Sequence, residues 1–157
     1  MERIPITKAG YDKVKKELER LKTVERREVV AAIEEARGHG DLSENAEYDA
    51  AKERQGMIEA RIGELENKMG RFDIIDVSKL AGDKVIFGAT VTVENIDTEE
   101  QKTYKIVGPD EANISQGTIS IMSPLARSLV NKKVGDEAIV QAPGGEIEYE
   151  IVGVEFK

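Results

Sequence analysis

Asp41 and Glu44, three residues apart, are the pair in this 157-residue chain best suited to chemistry. They stand in Gly38-His39-Gly40-Asp41-Leu42-Ser43-Glu44-Asn45, between two long helical patterns. Carboxylates at that spacing suit a hard divalent cation. Mg²⁺ takes one or two carboxylates and completes its shell with water or substrate oxygens. Two carboxylates make no tight site alone, so a metal here would need ligands from a partner. The same spacing also fits helix capping, because an acidic N-cap with Glu three residues later approximates a capping box. Carboxylates at a helix start further suit the positive end of its dipole. Both readings stand on the spacing alone.

Other chemistries are poorly supplied. There is no Cys, and His39 is the single His, which argues against a zinc site and excludes a thiol nucleophile. A Ser-His triad would need a pocket that a helical pair does not offer. Pro143-Gly144-Gly145 is hairpin chemistry and lacks the spacing of a phosphate loop. The net charge of −8 makes the chain a poor general nucleic-acid binder. Acid is concentrated at the candidate site, with −5 over residues 34–53. Base lies behind it at Lys13, Lys15, Lys16, Arg20, Lys22, Arg26 and Arg27, as a solvated helix face or a phosphate-contacting one. No apolar run reaches the ~20 residues of a membrane span, and the N-terminus has no signal-peptide core. The expectation is a soluble, cytoplasmic protein.

Two helices must position the carboxylates. Thr7 is a plausible N-cap, and Tyr11, Val14, Leu18, Leu21, Val29, Ile33 and Ala36 mark an apolar seam over 8–37. At ~1.5 Å per residue that helix is ~45 Å long. Gly38 and Gly40 end it. A second helix starts near Asp41 or Ser43, and its seam is Tyr48, Ala51, Gln55, Ile58, Ile62, Leu65 and Met69. Facing residues of the two seams share an index sum of 79–81, so both patterns describe one antiparallel hairpin with its apex near residue 40. Arg26 then faces Gln55, a polar layer where local softening is expected.

Beyond Gly70, residues 72–77 read as an extended link. Strands are predicted over 85–87, 89–93, 102–107, 118–122, 138–142 and 146–152. Ser123 caps a short helix with Pro124 at its first position. The predicted fold class is α+β: an N-terminal antiparallel coiled-coil hairpin, residues 1–76, and a small mostly antiparallel sheet domain with one helix, residues 77–157.

Residues 35–48, Glu-Ala-Arg-Gly-His-Gly-Asp-Leu-Ser-Glu-Asn-Ala-Glu-Tyr, resemble the tip signature of bacterial Gre transcript cleavage factors. Val85-Ile86-Phe87-Gly88-Ala89-Thr90-Val91-Thr92-Val93, Tyr104-Lys105-Ile106-Val107-Gly108, Ser123-Pro124-Leu125-Ala126-Arg127 and Pro143-Gly144-Gly145-Glu146 match that family in order. Within it the chain is similar to the GreA type. The resemblance implies a coiled-coil hairpin followed by an FKBP-like domain without isomerase activity. It implies an accessory factor, not an enzyme, that grips RNA polymerase at the rim of its secondary channel. The hairpin would reach the active centre and stimulate cleavage at the 3′ end of nascent RNA in backtracked complexes. Asp41 and Glu44 match the residues that would share a second Mg²⁺ with the polymerase. Ser123 and Pro124 match a segment implicated in polymerase contact. A channel-blocking regulator without cleavage activity is the alternative. A monomer is the simpler expectation, since both seams are satisfied within one chain.

Overall fold

The 3-4 spacing of apolar residues produces the expected helices. In the computed structural model, which describes residues 2–40 and 45–157, α1 spans Lys8–Arg20, α2 Arg26–Arg37 and α3 Ala46–Met69. Asp41, Leu42, Ser43 and Glu44 lie outside the described residues. The described chain divides into two compact units, Asp12–Phe72 and Glu2–Tyr11 with Asp73–Lys157.

In the first unit, Val14, Val29, Ile33, Ala36, Ala51, Ile58, Ile62 and Leu65 are buried. Val29, Ile58 and Ile62 form a cluster with Leu18 and Leu21 packed against it. Ion pairs between the helices follow a descending register: Glu17 with Arg61, Glu25 and Glu28 with Arg54. The expected Arg26–Gln55 layer is replaced. Arg26 forks onto Glu59 at 2.8 and 3.0 Å, and Gln55 accepts from Lys52 instead. Arg reaches one helical turn further than the seam register because its planar fork matches a carboxylate.

The irregularity falls just before that layer. Residues Leu21–Glu25 are π-helical, and the N–H of Arg26 donates to the carbonyl of Leu21, five residues back. The sequence explains it. Continuing the heptads of Val14, Leu18 and Leu21 would place the next seam one residue before Val29, Ile33 and Ala36. The α3 seam has no such offset. One extra residue in the first helix is thus absorbed as a π-turn, which is how α-helices accommodate an insertion. Thr23 Oγ1 donates to the carbonyl of Glu19 at 2.7 Å within this stretch. Deleting Thr23 is therefore expected to leave the thermal midpoint of the protein within a few degrees of wild type. Deleting Gln55 from α3 should displace half its seam and lower the midpoint sharply; differential scanning calorimetry distinguishes the two.

The second unit holds a five-stranded sheet in the order β5-β4-β3-β7-β6. Its strands are β3 (Thr90–Asn95), β4 (Gln101–Val107), β5 (Thr118–Ser120), β6 (Glu137–Ala142) and β7 (Gly145–Glu155). All neighbours are antiparallel except β4 with β5. Helix α4 (Pro124–Leu129) places Ala126 and Leu129 in the core with Val85, Val91, Val93, Ile106 and Ile151. Residues 85–87 are not a strand. Val85 is fully buried and bonds through its backbone to Asn131 and Lys132, so its apolar character reflects burial, not a ladder. The extended lead-in and link pair with each other: β1 (Ile4–Thr7) and β2 (Phe72–Ile75) form a two-stranded sheet.

The predicted N-cap at Thr7 is present and elaborated. Thr7 Oγ1 accepts from the N–H of Gly10 at 3.1 Å. The Glu111 carboxylate in turn accepts from the Thr7 N–H at 2.8 Å, the Thr7 hydroxyl, and the Gly108 N–H at 3.0 Å. Glycine is needed on both sides. A Cβ at Gly10 would lie 2.3 Å from Glu111 Oε1, and one at Gly108 would lie 2.1 Å from the Pro5 carbonyl oxygen.

Candidate functional site at the helix junction

The described residues flanking the apex are organised by two helix ends. Gly38 closes α2, with its N–H donating to the carbonyls of Glu34 and Glu35. Gly40 has φ +106°, a conformation that L side chains rarely adopt, so the turn needs glycine there. Asn45, extended at φ −90° and ψ 96°, caps α3: its Oδ1 accepts from the Tyr48 N–H at 3.0 Å. Its Nδ2 also donates to the carbonyl of Ala36 at 2.5 Å. His39 Nδ1 lies 3.0 Å from Glu47 Oε2.

This corrects the expected helix start. The second helix begins at Ala46, not near Asp41 or Ser43, and its cap is Asn45. Asn ranks with Asp among the best N-caps, and here its amide also meets a free carbonyl of the preceding helix. The α3 cap therefore makes no demand on Asp41, whose own placement, like that of Glu44, lies outside the described residues. Glu47 and Asp49 in the first turn of α3 supply the acidic dipole complement. Sequence reasoning passed over Asn45 although an Asn just before an apolar seam is a recognisable start signal. The Asp41-x-x-Glu44 spacing drew the capping assignment instead.

Behind the junction, the basic side chains are partly engaged. Arg20 meets Glu25 at 3.3 Å, Lys22 meets Glu66 at 3.9 Å, and Arg26 holds Glu59. The hydrogen bond from Arg54, with the nearby Arg20 and Arg54 charges, holds the Glu25 carboxyl below its ordinary range. Lys68 and then Arg61 do the same for Glu64. A carboxyl lowered on folding stabilises the folded state when ionised and loses that contribution as pH falls through the lowered value. The helical unit is thus expected to melt more easily on acidification below the usual carboxylate range. Thermal midpoints read against pH should show a shallower acid limb in Glu25→Gln. Added salt should weaken the effect, since these pairs are exposed.

Ser123 is the cap it was expected to be. Its Oγ accepts from the Ala126 N–H at 3.2 Å and donates to the Ser120 carbonyl at 2.7 Å, with exposed Pro124 opening α4. Beside it Met122 is 53% exposed. Among the described residues no three His, Cys, Asp or Glu side chains gather as a metal site, and no helix is long and apolar enough to cross a membrane.

A pair of ion-paired helices with an acid-flanked junction, joined in sequence to a five-stranded sheet unit, is the arrangement that comparison with known proteins identifies. The family model described as transcription elongation factor, N-terminal, matches residues 4–74, and that described as transcription elongation factor, GreA/GreB, C-term, matches residues 80–156. Transcription elongation factor GreA of Hyphomonas neptunium is 59% identical over 157 residues, covering 100% of both chains. That of Maricaulis maris is 60% identical over 156 residues, covering 99% of each. A crystal structure of GreA factor homolog 1 of Thermus thermophilus aligns over 98% of this chain and 99% of that one, at 29% identity and a TM-score of 0.44. The chain belongs to the GreA/GreB family of transcription elongation factors.

Proposed function

We propose that this elongation factor stimulates cleavage of the nascent transcript by RNA polymerase and is not itself the nuclease. Residues 1–76 supply the coiled-coil hairpin, with its tip near 38–45. Residues 77–157 supply an FKBP-like domain that binds the rim of the polymerase secondary channel, with strand Ile4–Thr7 clustering with it. The hairpin carries Asp41 and Glu44 to the active centre of a backtracked complex, next to the extruded RNA 3′ end. The factor acts as a cytoplasmic monomer.

The observation that carries this reading is the match of both family models together with the retained Asp41/Glu44 pair. Hard carboxylate oxygens suit Mg²⁺, and a pair without a third protein ligand suits an ion shared with the polymerase. When bound, such a second ion supplies activation of water for phosphodiester hydrolysis. Asp41 and Glu44 would orient the ion and its water against the scissile phosphate. The retained pair also favours this function over a blocking factor, which needs no metal ligands. Ser123, Pro124 and exposed Met122 form the part of the sheet unit assigned to polymerase contact. The basic residues of α1 touch the extruded RNA through phosphates, without sequence preference.

The test is to add the protein to stalled, backtracked elongation complexes with labelled RNA. Accelerated release of 3′ fragments supports the reading. Inhibition without cleavage supports the blocking factor, and cleavage of free RNA without polymerase refutes the accessory role.

A further inference from the structure

We propose that Asn45 is a positioning residue for the apex carboxylates, separate from its role as a helix cap. The inference rests on the function proposed above for Asp41 and Glu44. Capping alone does not require asparagine, since Ser, Thr and Asp accept the same hydrogen bond. The Asn45 amide does more. Its Oδ1 takes the Tyr48 N–H at 3.0 Å while its Nδ2 reaches the Ala36 carbonyl at 2.5 Å. Ser or Asp, short and oxygen-ended, would keep the cap, but an ionised Asp has no donor for Ala36. Gln has the amide but one methylene too many for a cap.

The Ala36 carbonyl also receives the His39 N–H at 3.1 Å, so the clasp closes onto the last turn of α2 at the point where the chain leaves it. His39 and Glu47, at 3.0 Å, add a second tie between the two sides of the junction. Residue 45 is bonded directly to Glu44, and the tied ends bracket Asp41. Joining the ends of a short segment removes conformations that would otherwise have to be lost when the carboxylates meet a metal ion. The clasp thus lowers the ordering cost of ligation, and misplacement of reacting groups by about 1 Å can cost on the order of 10²-fold in rate.

The experiment compares Asn45→Ser, Asn45→Asp and Asn45→Ala with wild type and Asp41→Ala on backtracked complexes. Three quantities are read: maximal cleavage rate at saturating factor, factor concentration for half-maximal effect, and thermal midpoint. Asn45→Ser should keep the midpoint and the half-maximal concentration while its maximal rate falls about 10-fold or more. Raising Mg²⁺ should recover part of that loss, a response that a cap alone would not give. A maximal rate for Asn45→Ser within about twofold of wild type, with Asp41→Ala inactive, overturns the clasp and leaves the function standing. A loss that follows the midpoint across all three variants, or ignores Mg²⁺, assigns Asn45 to folding alone. Full stimulation by Asp41→Ala removes both the clasp and the reading beneath it.

Discussion

Asp41→Ala and Glu44→Ala, tested singly, are each expected to cut stimulated transcript cleavage by at least ~10²-fold while polymerase binding stays within about twofold. The size follows from ligand chemistry. Loss of residues that merely support a metal ligand costs ~10–100-fold, and loss of a ligand from a two-carboxylate set costs no less. Binding is spared because polymerase contact is assigned to residues 77–157. Cleavage assays at saturating factor, paired with competition for polymerase by labelled wild type, separate the two quantities. The position of the α3 cap sharpens this prediction. With Asn45 supplying the cap, alanine at 41 removes no hydrogen bond that starts α3. Circular dichroism of Asp41→Ala should therefore match wild type, and its lost activity reads as lost chemistry.

Glu111→Ala is expected to have the largest effect on stability. One carboxylate accepts from the Thr7 N–H, the Thr7 hydroxyl and the Gly108 N–H, and Thr7 is 7% exposed. Truncation strands donors that face a tightly filled site, at ~1–3 kcal/mol each where water cannot follow. Partial hydration of a half-buried site reduces the sum, so a loss of about 3 kcal/mol is expected for the sheet unit. For a unit of that size this lowers the midpoint by roughly 10–20 °C. Glu111→Gln should be nearly as harmful, because its amide turns a donor toward donors. Gly10→Ala should act in the same direction by pushing a methyl into the carboxylate. Calorimetry of the full chain reads all three. A midpoint for Glu111→Ala within about 3 °C of wild type would show that the hydrogen-bond cluster contributes little.

What the sequence made legible follows from the range of each interaction. The helical seams repeat every three or four residues, so burial of Val14, Val29, Ile58, Ile62 and Leu65 could be read directly. Thr7 and Ser123 were legible as caps because capping is local chemistry. The Glu111 cluster was not, because its partners lie 104 positions apart in the chain. Pairing of β1 with β2 was hidden for the same reason. Residues 85–87 misled because a short apolar run marks burial without saying whether a ladder supplies it. The one-residue offset between Leu21 and Val29 was present in the sequence, and only the π-turn at Leu21–Glu25 shows how it is absorbed. The family match reaches further than any of these, yet the roles of Asp41 and Glu44 rest on chemistry that only activity can test.

The central claim is that the apex carboxylates bring a shared metal ion to the polymerase. Its most direct test is a Mg²⁺ titration of 3′-fragment release from a labelled, backtracked complex. The titration is run without factor, with wild type, and with the Asp41→Ala/Glu44→Ala double variant. Wild type should raise the maximal rate and lower the Mg²⁺ concentration at half-maximal rate, while the double variant should reproduce the curve without factor. Superimposable curves for wild type and the double variant would contradict the account.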